Sequence, residues 1–353
     1  MTTVLITGTE ESTGKTAIAL ALAQLTREQD RSVGYMKPKG TRLRSVVGKT
    51  LDEDPMLARE LLDLDAEMHE LEPIVYSPTF IQGAIRGQED PDELHETVRD
   101  RFESLATGRD FMAIEGGGTL STGGVVDLTD PDVADLLDAQ VLLVAGYQHP
   151  GDVDEVLWAA DRVGERLAGV LFNTVADGVY DRLESDVVPF LEGREIPVLG
   201  ILPRTKELAG VSIADFAAEL GAEIATDAPT DAYIERLSVG AMGADAALRH
   251  FRRTKDAVLI TGGDRSDIHS VALEAPGIKC LCLTGGFRPS SAVLGKAEER
   301  GVPILLAQSD TLTTIERTEE IVHAGRTRDE ITVERMRELL TDHADLHELL
   351  DHE

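Results

Sequence analysis

The sequence has no apolar run approaching the roughly 20 residues that a bilayer-crossing helix needs. Its first residues, MTTVLITGT, carry neither a basic flank nor a small-residue cleavage site. A cytoplasmic protein without a membrane partner is expected. Cysteine is nearly absent, and Cys280 and Cys282 are the only two. As a strand, the stretch IKCLCLT aims both thiols at one face, so they cannot easily pair and are expected as buried core in a reducing compartment. The nine histidines form no metal-spaced cluster. Three of them, His343, His347 and His352, fall in a charged C-terminal stretch expected to be a solvated helix. No G-x-S-x-G and no Cys/His arrangement offers a nucleophile. The single tryptophan, Trp158, lies on the apolar face of a helical stretch and is expected in the core.

Positive charge is scarce as well. Lys and Arg number 34 against 65 acids, for a net charge of −31. The acids are spread along the whole chain rather than gathered in a tail, which points to a surface adapted to high salt. There a Debye length of ~3 Å at 1 M screens self-repulsion while the carboxylates keep the protein soluble. Such a surface repels a phosphate backbone, so nucleic acid is not expected as a partner.

What the sequence does contain is alternation. TVLITG, SVGYMKP, FMAIEGGG, QVLLVAGY, LAGVLFNTV and PVLGILP read as strands, with helical stretches such as 14–28 and 153–167 between them. Continuous apolar strands alternating with helices predict an α/β fold, a mainly parallel sheet covered on both faces that gathers ligands beyond its C-terminal strand ends. A length of 353 residues suits two domains. Beyond ILPRTKEL the texture changes. AVLITGGDRSD at 257–267 and CLCLTGGFRPS at 280–290 each give an apolar strand, Thr-Gly-Gly, one residue and an arginine. They read as a weak internal repeat in a second, smaller α/β domain. The expected division is 1–208, 209–315 and a charged helical C-terminal extension, 316–353.

GTEESTGKT, Gly8 to Thr16, follows a strand and opens a helix. Glycines let the backbone approach phosphate oxygens, and the N–H groups at the helix start face the anion. Gly8, Thr9, Gly14, Lys15 and Thr16 are expected to cradle a nucleoside triphosphate, Lys15 neutralising its oxygens and the Thr16 hydroxyl reaching Mg²⁺. Thr9 stands where the standard spacing has its first glycine, and Gly8 precedes it. Lys37 ends the second strand where this loop opens, as a phosphate ligand or as a solvated lysine. Glu115 ends FMAIE before three glycines, as a magnesium ligand or as a plain acidic turn. Asp54, in LDEDPML, is read equally as a metal ligand or as a helix cap. In the second domain Thr261, Gly262, Gly263, Asp264 and Arg265, with Thr284, Gly285, Gly286 and Arg288, could present N–H groups and arginines to an anionic ligand. The alternative is two tight turns with Arg265 paired to Asp264 or Asp267.

Over roughly residues 1–205, GTEESTGKT, VGYMKP, FMAIEGGG, LAGVLFNTV and PVLGILPR resemble the dethiobiotin synthetases, P-loop enzymes that activate a carboxylate with ATP. The resemblance implies ATP and Mg²⁺ as cofactors, with Lys15, Thr16 and Lys37 on phosphates, Asp54 and Glu115 on magnesium, and Asn173 on adenine. Residues 264–265 and 284–286 resemble the DRTGG domain, and the pair of domains looks like the front of long phosphotransacetylases. That implies a regulatory or sensor role, a homo-oligomer, and no acetyl transfer by this chain alone. Glu11 stands where those synthetases carry a small hydroxyl residue, and KPKGT replaces their small-residue run after the lysine. If the chain is an ATP-dependent ligase or phosphotransferase, a different substrate is therefore expected.

Overall fold

The computed structural model describes residues 1–41, 43–46, 49–323 and 329–350. The chain forms two compact units. One holds residues 1–204 and the C-terminal helices from Glu330 onward, and the other begins at Thr205 and runs through the helix ending at His323. The segment 316–353, expected as one extension, is thereby divided: its first part packs in the second unit and its last part in the first. His352 lies outside the described residues.

The first unit is built on six parallel strands, β1 (Thr2–Gly8), β2 (Val33–Met36), β3 (Phe111–Glu115), β4 (Gln140–Ala145), β5 (Leu167–Val175) and β6 (Val198–Pro203), in the order β6-β5-β4-β1-β3-β2. These are the six strands expected from the sequence. β1 is central and buried along its whole length, which fixes the position of the loop that follows it. That loop leads into α1 (Lys15–Glu28), whose residues Ala17 to Ala23 are all buried. An amphipathic helix would hide one face only. Here α1 packs on β3 and also under the C-terminal helix Glu330–His343, which buries Val333, Met336, Leu339 and Leu340. That helix also packs on β6, where Asp345 N donates to Leu199 O at 2.7 Å.

Trp158 lies in the helix Asp152–Val163 but is 57% exposed, contrary to the core position expected. Val156, Ala159, Ala160 and Val163 fill that helix's buried stripe instead, at the 3–4-residue spacing a helix requires.

The second unit holds a five-stranded sheet of β7 (Glu223–Ile224), β8 (Arg236–Val239), β9 (Ala257–Gly262), β10 (Ile278–Thr284) and β11 (Ile304–Leu306), in the order β7-β11-β10-β9-β8. Only β7 runs antiparallel. Alternate residues face opposite cores: Leu259, Leu281 and Leu283 on one side, Val258, Ile260, Cys280 and Cys282 on the other. Both cysteines are free and buried on one face. No helix among the described residues is long and apolar enough to cross a membrane.

Candidate functional site

Gly8 closes β1, and the Thr9 amide donates to Val144 O at 3.1 Å, so the loop leaves the sheet between β1 and β4. Ser12 and Gly14 take left-handed backbone angles, φ 56° and 91°. At Gly14 a side chain would be strained by the backbone and would also meet Asn173 Nδ2 at 2.5 Å. Lys15 folds back so that its ammonium donates to Glu10 O at 3.2 Å, across the concavity of the loop. Glu11 is exposed at the loop's tip. Thr13 Oγ1 is buried without a hydrogen-bond partner among the described residues, a donor inside a cradle of the kind an anion's oxygens satisfy.

Asn173, near the end of β5, is buried. Its amide nitrogen donates to Thr13 O at 2.8 Å and its oxygen accepts from Thr174 N at 2.9 Å. The side chain expected at adenine thus braces the phosphate loop in this structure.

Below the loop lies a buried charge cluster. Thr16 Oγ1 donates to Glu115 Oε1 at 2.7 Å, and Tyr35 OH donates to Glu115 Oε2 at 2.6 Å. Lys37 Nζ lies 2.9 Å from Asp52 Oδ2 and 3.5 Å from Glu115 Oε1, and also pairs with Asp54. Lys37 is 1% exposed, which excludes a solvated lysine, and Glu115 is equally deep inside. Asp54 does not cap its helix (Glu53–Leu61). Asp52 does, accepting from Asp54 N at 3.0 Å, which frees the Asp54 carboxylate to face the lysine.

Burial dominates the electrostatics. It pushes the Glu115 carboxyl up to about 7 against the opposing pull of Lys37, and raises the Tyr35 phenol well above its ordinary value. Burial alone would lower the Lys37 ammonium, but Glu115, Asp54 and Asp52 together hold it above the usual lysine value. Glu72 supports the cluster from behind. Its Oε2 accepts from Asp52 N at 3.0 Å, Oε1 has no partner among the described residues, and burial raises its pKa to about 7.

A second buried pair sits alongside. Lys39 Nζ is 2.9 Å from Asp130 Oδ1 and donates to Leu128 O at 2.6 Å, while Thr7 Oγ1 donates to Asp130 Oδ2 at 2.5 Å. A Cβ at Gly117, two residues beyond Glu115, would strike Lys39 O at 2.5 Å, so only glycine fits at that position. Residues 37–41 and 115–118 are thus pressed together at one edge of the loop.

Sequence reasoning placed Thr16, Lys37, Asp54 and Glu115, and the structure brings these four together. It missed Tyr35, Asp52, Glu72, Lys39 and Asp130. The Asp-x-Asp spacing of 52 and 54 and the Lys-x-Lys spacing of 37 and 39 were the available signals. Among the described residues no group of three or more His, Cys, Asp or Glu side chains is arranged to hold a metal by itself. The donors that fit magnesium are a hydroxyl and carboxylates, hard oxygens that leave positions for phosphate oxygens and water.

The Thr-Gly-Gly loops close β9 and β10 in adjacent register, with Gly262 opposite Thr284. The Gly263, Gly285 and Gly286 amides donate to Thr284 O, Ser309 O and Ala307 O at 3.2, 2.9 and 3.0 Å. Arg265 is engaged by Asp267 at 3.1 Å and Met242 O at 2.9 Å, and Arg288 by Glu223. Thr261 Oγ1 donates to Gly240 O at 3.3 Å, and the Thr284 and Thr311 hydroxyls lie 2.7 Å apart. Asp264 is exposed in the first loop. In this structure these three amides and both arginines are engaged by protein partners.

A phosphate loop on the central strand of a parallel sheet, backed by a threonine–carboxylate–lysine cluster, defines a P-loop nucleotide-binding α/β protein. Residues 2–212 match an AAA domain and residues 215–321 a DRTGG domain, so the chain belongs to this AAA-domain family, in its dethiobiotin-synthetase-like form, followed by a DRTGG domain. It is 29% identical to the ATP-dependent dethiobiotin synthetase of Aromatoleum aromaticum over 222 residues, covering 61% of this chain and 95% of that enzyme. It is 24% identical to the phosphate acetyltransferase of Haemophilus influenzae over 316 residues, covering 81% of this chain but only 43% of that protein. The MinD cell division protein of Aquifex aeolicus aligns at 13% identity with a TM-score of 0.38, over 59% of this chain and 84% of that one.

Proposed function

We propose that this chain is an ATP- and magnesium-binding regulatory or sensor protein, acting as a homo-oligomer, with nucleotide in the first unit and an anionic effector at the DRTGG unit. The observation that carries the proposal is the phosphate loop with its buried Thr16–Glu115–Lys37–Asp54 cluster, together with the orphaned Thr13 hydroxyl inside the cradle. Thr16, Asp54 and Glu115 would hold magnesium, which when bound supplies positive charge to the phosphates. Lys15 covers the loop's concavity and would exchange Glu10 O for a phosphate oxygen. Asn173 keeps the loop in shape through Thr13 O. An effector at the second unit would compete with Asp267 for Arg265, so its binding depends on a strongly anionic group.

The exposed carboxylate of Glu11 at the rim repels carboxylate substrates and supports the sensor reading over the ligase one. The test is calorimetric titration of ATP with magnesium in high salt, followed by phosphate release with and without a panel of small carboxylates. Saturable binding that is lost in Lys15→Ala, with release indifferent to every carboxylate, is the expected result. Release that depends on one carboxylate would replace the sensor by an ATP-dependent carboxylate-activating enzyme.

A further inference from the structure

Lys37 faces three carboxylates at once, Asp52, Asp54 and Glu115. A buried ammonium needs paired counter-charge, and one carboxylate would suffice. With Asp52, Asp54 and Glu115 around one ammonium, carboxyl groups outnumber the cation, which is costly at such depth unless a second, more highly charged cation can take over. The geometry shows where the two cations would collide. Glu115 Oε1 accepts from the Thr16 hydroxyl at 2.7 Å and also lies 3.5 Å from Lys37 Nζ. A divalent ion held by the Thr16 hydroxyl and Glu115 would draw on hard oxygen ligands that the cluster already uses. It would then compete with the ammonium for Glu115 and for Asp54, and two cations on the same oxygens repel strongly at low dielectric.

We infer that Lys37 is a resident cation that holds the divalent site shut in the nucleotide-free protein, so that magnesium and the Lys37 ammonium exchange on Asp54 and Glu115. This rests on the nucleotide-binding reading above and adds a regulation to it. Free divalent ion is refused. When magnesium arrives with a polyphosphate, the displaced ammonium gains an anionic partner and the exchange becomes favourable. Asp52 remains with the lysine side of the exchange because its other bonds are structural: Oδ1 caps the helix at Asp54 N, and Oδ2 accepts from Thr41 N at 2.9 Å. Lys37 acts here as a positioning residue, through the carboxylates it occupies.

The experiment uses the full chain without nucleotide and reads Mn²⁺ binding by the loss of the free-ion paramagnetic resonance signal. The parent is expected to bind Mn²⁺ weakly and Lys37→Gln at least ten-fold tighter, with Lys37→Gln/Glu115→Gln losing the gain. Because Lys37→Gln leaves three facing carboxylates and can fail to fold, Lys37→Gln/Asp52→Asn is measured beside it. The double variant restores the parent's formal cluster charge and keeps Asp54 and Glu115, so it is expected to show the same ten-fold gain. A double variant that binds Mn²⁺ no tighter than the parent overturns the exchange. Titration of the parent with Mg·ATP separates the two readings: binding there with no gain in the variants removes the exchange alone, and no binding there removes the nucleotide reading.

Discussion

Glu72 carries a pH dependence that can be isolated. It is 3% exposed, one oxygen is orphaned, and the charges facing it are Lys37, Asp52 and Asp54. Burial lifts its pKa from 4.5 to about 7, so between those values the folded protein holds a proton that the unfolded chain has released. Its contribution to stability is therefore complete below about pH 4.5 and is lost as pH rises through 7. In Glu72→Gln that loss disappears. Chemical denaturation at pH 5 and pH 8 is expected to show the variant gaining on the parent by on the order of 2 kcal/mol across the interval. A difference that does not change with pH would mean that Glu72 titrates normally. This residue could not be singled out from sequence, since EPIVYS has nothing to distinguish one acid among 65. Lys37 and Glu115 were legible because each ends an apolar strand, where ligands gather. Their neighbours Asp52 and Glu72 reach the same place from a helix cap and a short connecting segment, whose folding depends on tertiary contacts.

At the scale of elements, the six strands of the first unit were readable as apolar runs, because strands covered on both faces need no alternation. Register and order were not, since every one of those runs is equally apolar. The phosphate loop was readable for a different reason: its glycine is demanded by backbone geometry. Gly14 at φ 91° is the residue before α1, and its missing side chain makes room for the Asn173 amide. Gly14→Ala is expected to strain the loop and push Asn173 off Thr13 O, reducing ATP affinity at least ten-fold while the melting temperature falls by only a few degrees. Calorimetric titration alongside a thermal melt checks this. Unchanged affinity would show that the loop's left-handed turn plays no part in holding nucleotide. Trp158 shows the reverse failure, because an apolar periodicity located the helix but assigned its largest side chain to the wrong edge of the stripe.

At the scale of the molecule, the net charge of −31 sets the first expectation. Where carboxylates outnumber bases so heavily, raising KCl from 0.1 to 2 M shortens the Debye length from ~10 Å to below ~3 Å and removes self-repulsion. The melting temperature is expected to rise across that range; a flat or falling curve would count against a surface adapted to salt. The second expectation concerns the chain's return. After the DRTGG unit it comes back to cover α1 with the helix Glu330–His343, tied by Arg337 to Glu28 at 2.8 Å, and the short helix His347–Leu350 that follows is held by the Arg31 guanidinium donating to Leu350 O at 2.5 Å. Met336 reaches the neighbourhood of Gly14, within 3.9 Å of where a Cβ there would stand. The nucleotide unit is thus completed by sequence that follows the DRTGG unit, which a reading by contiguous segments could not anticipate. Leu340 is fully buried in that cover, and Leu340→Ala is expected to cost about 2–5 kcal/mol through the cavity it leaves. Hydrogen exchange locates the loss. Amides of α1 and β6 should lose protection while those of β8 to β11 keep theirs, whereas equal loss in both sets would mean that the two units unfold as one.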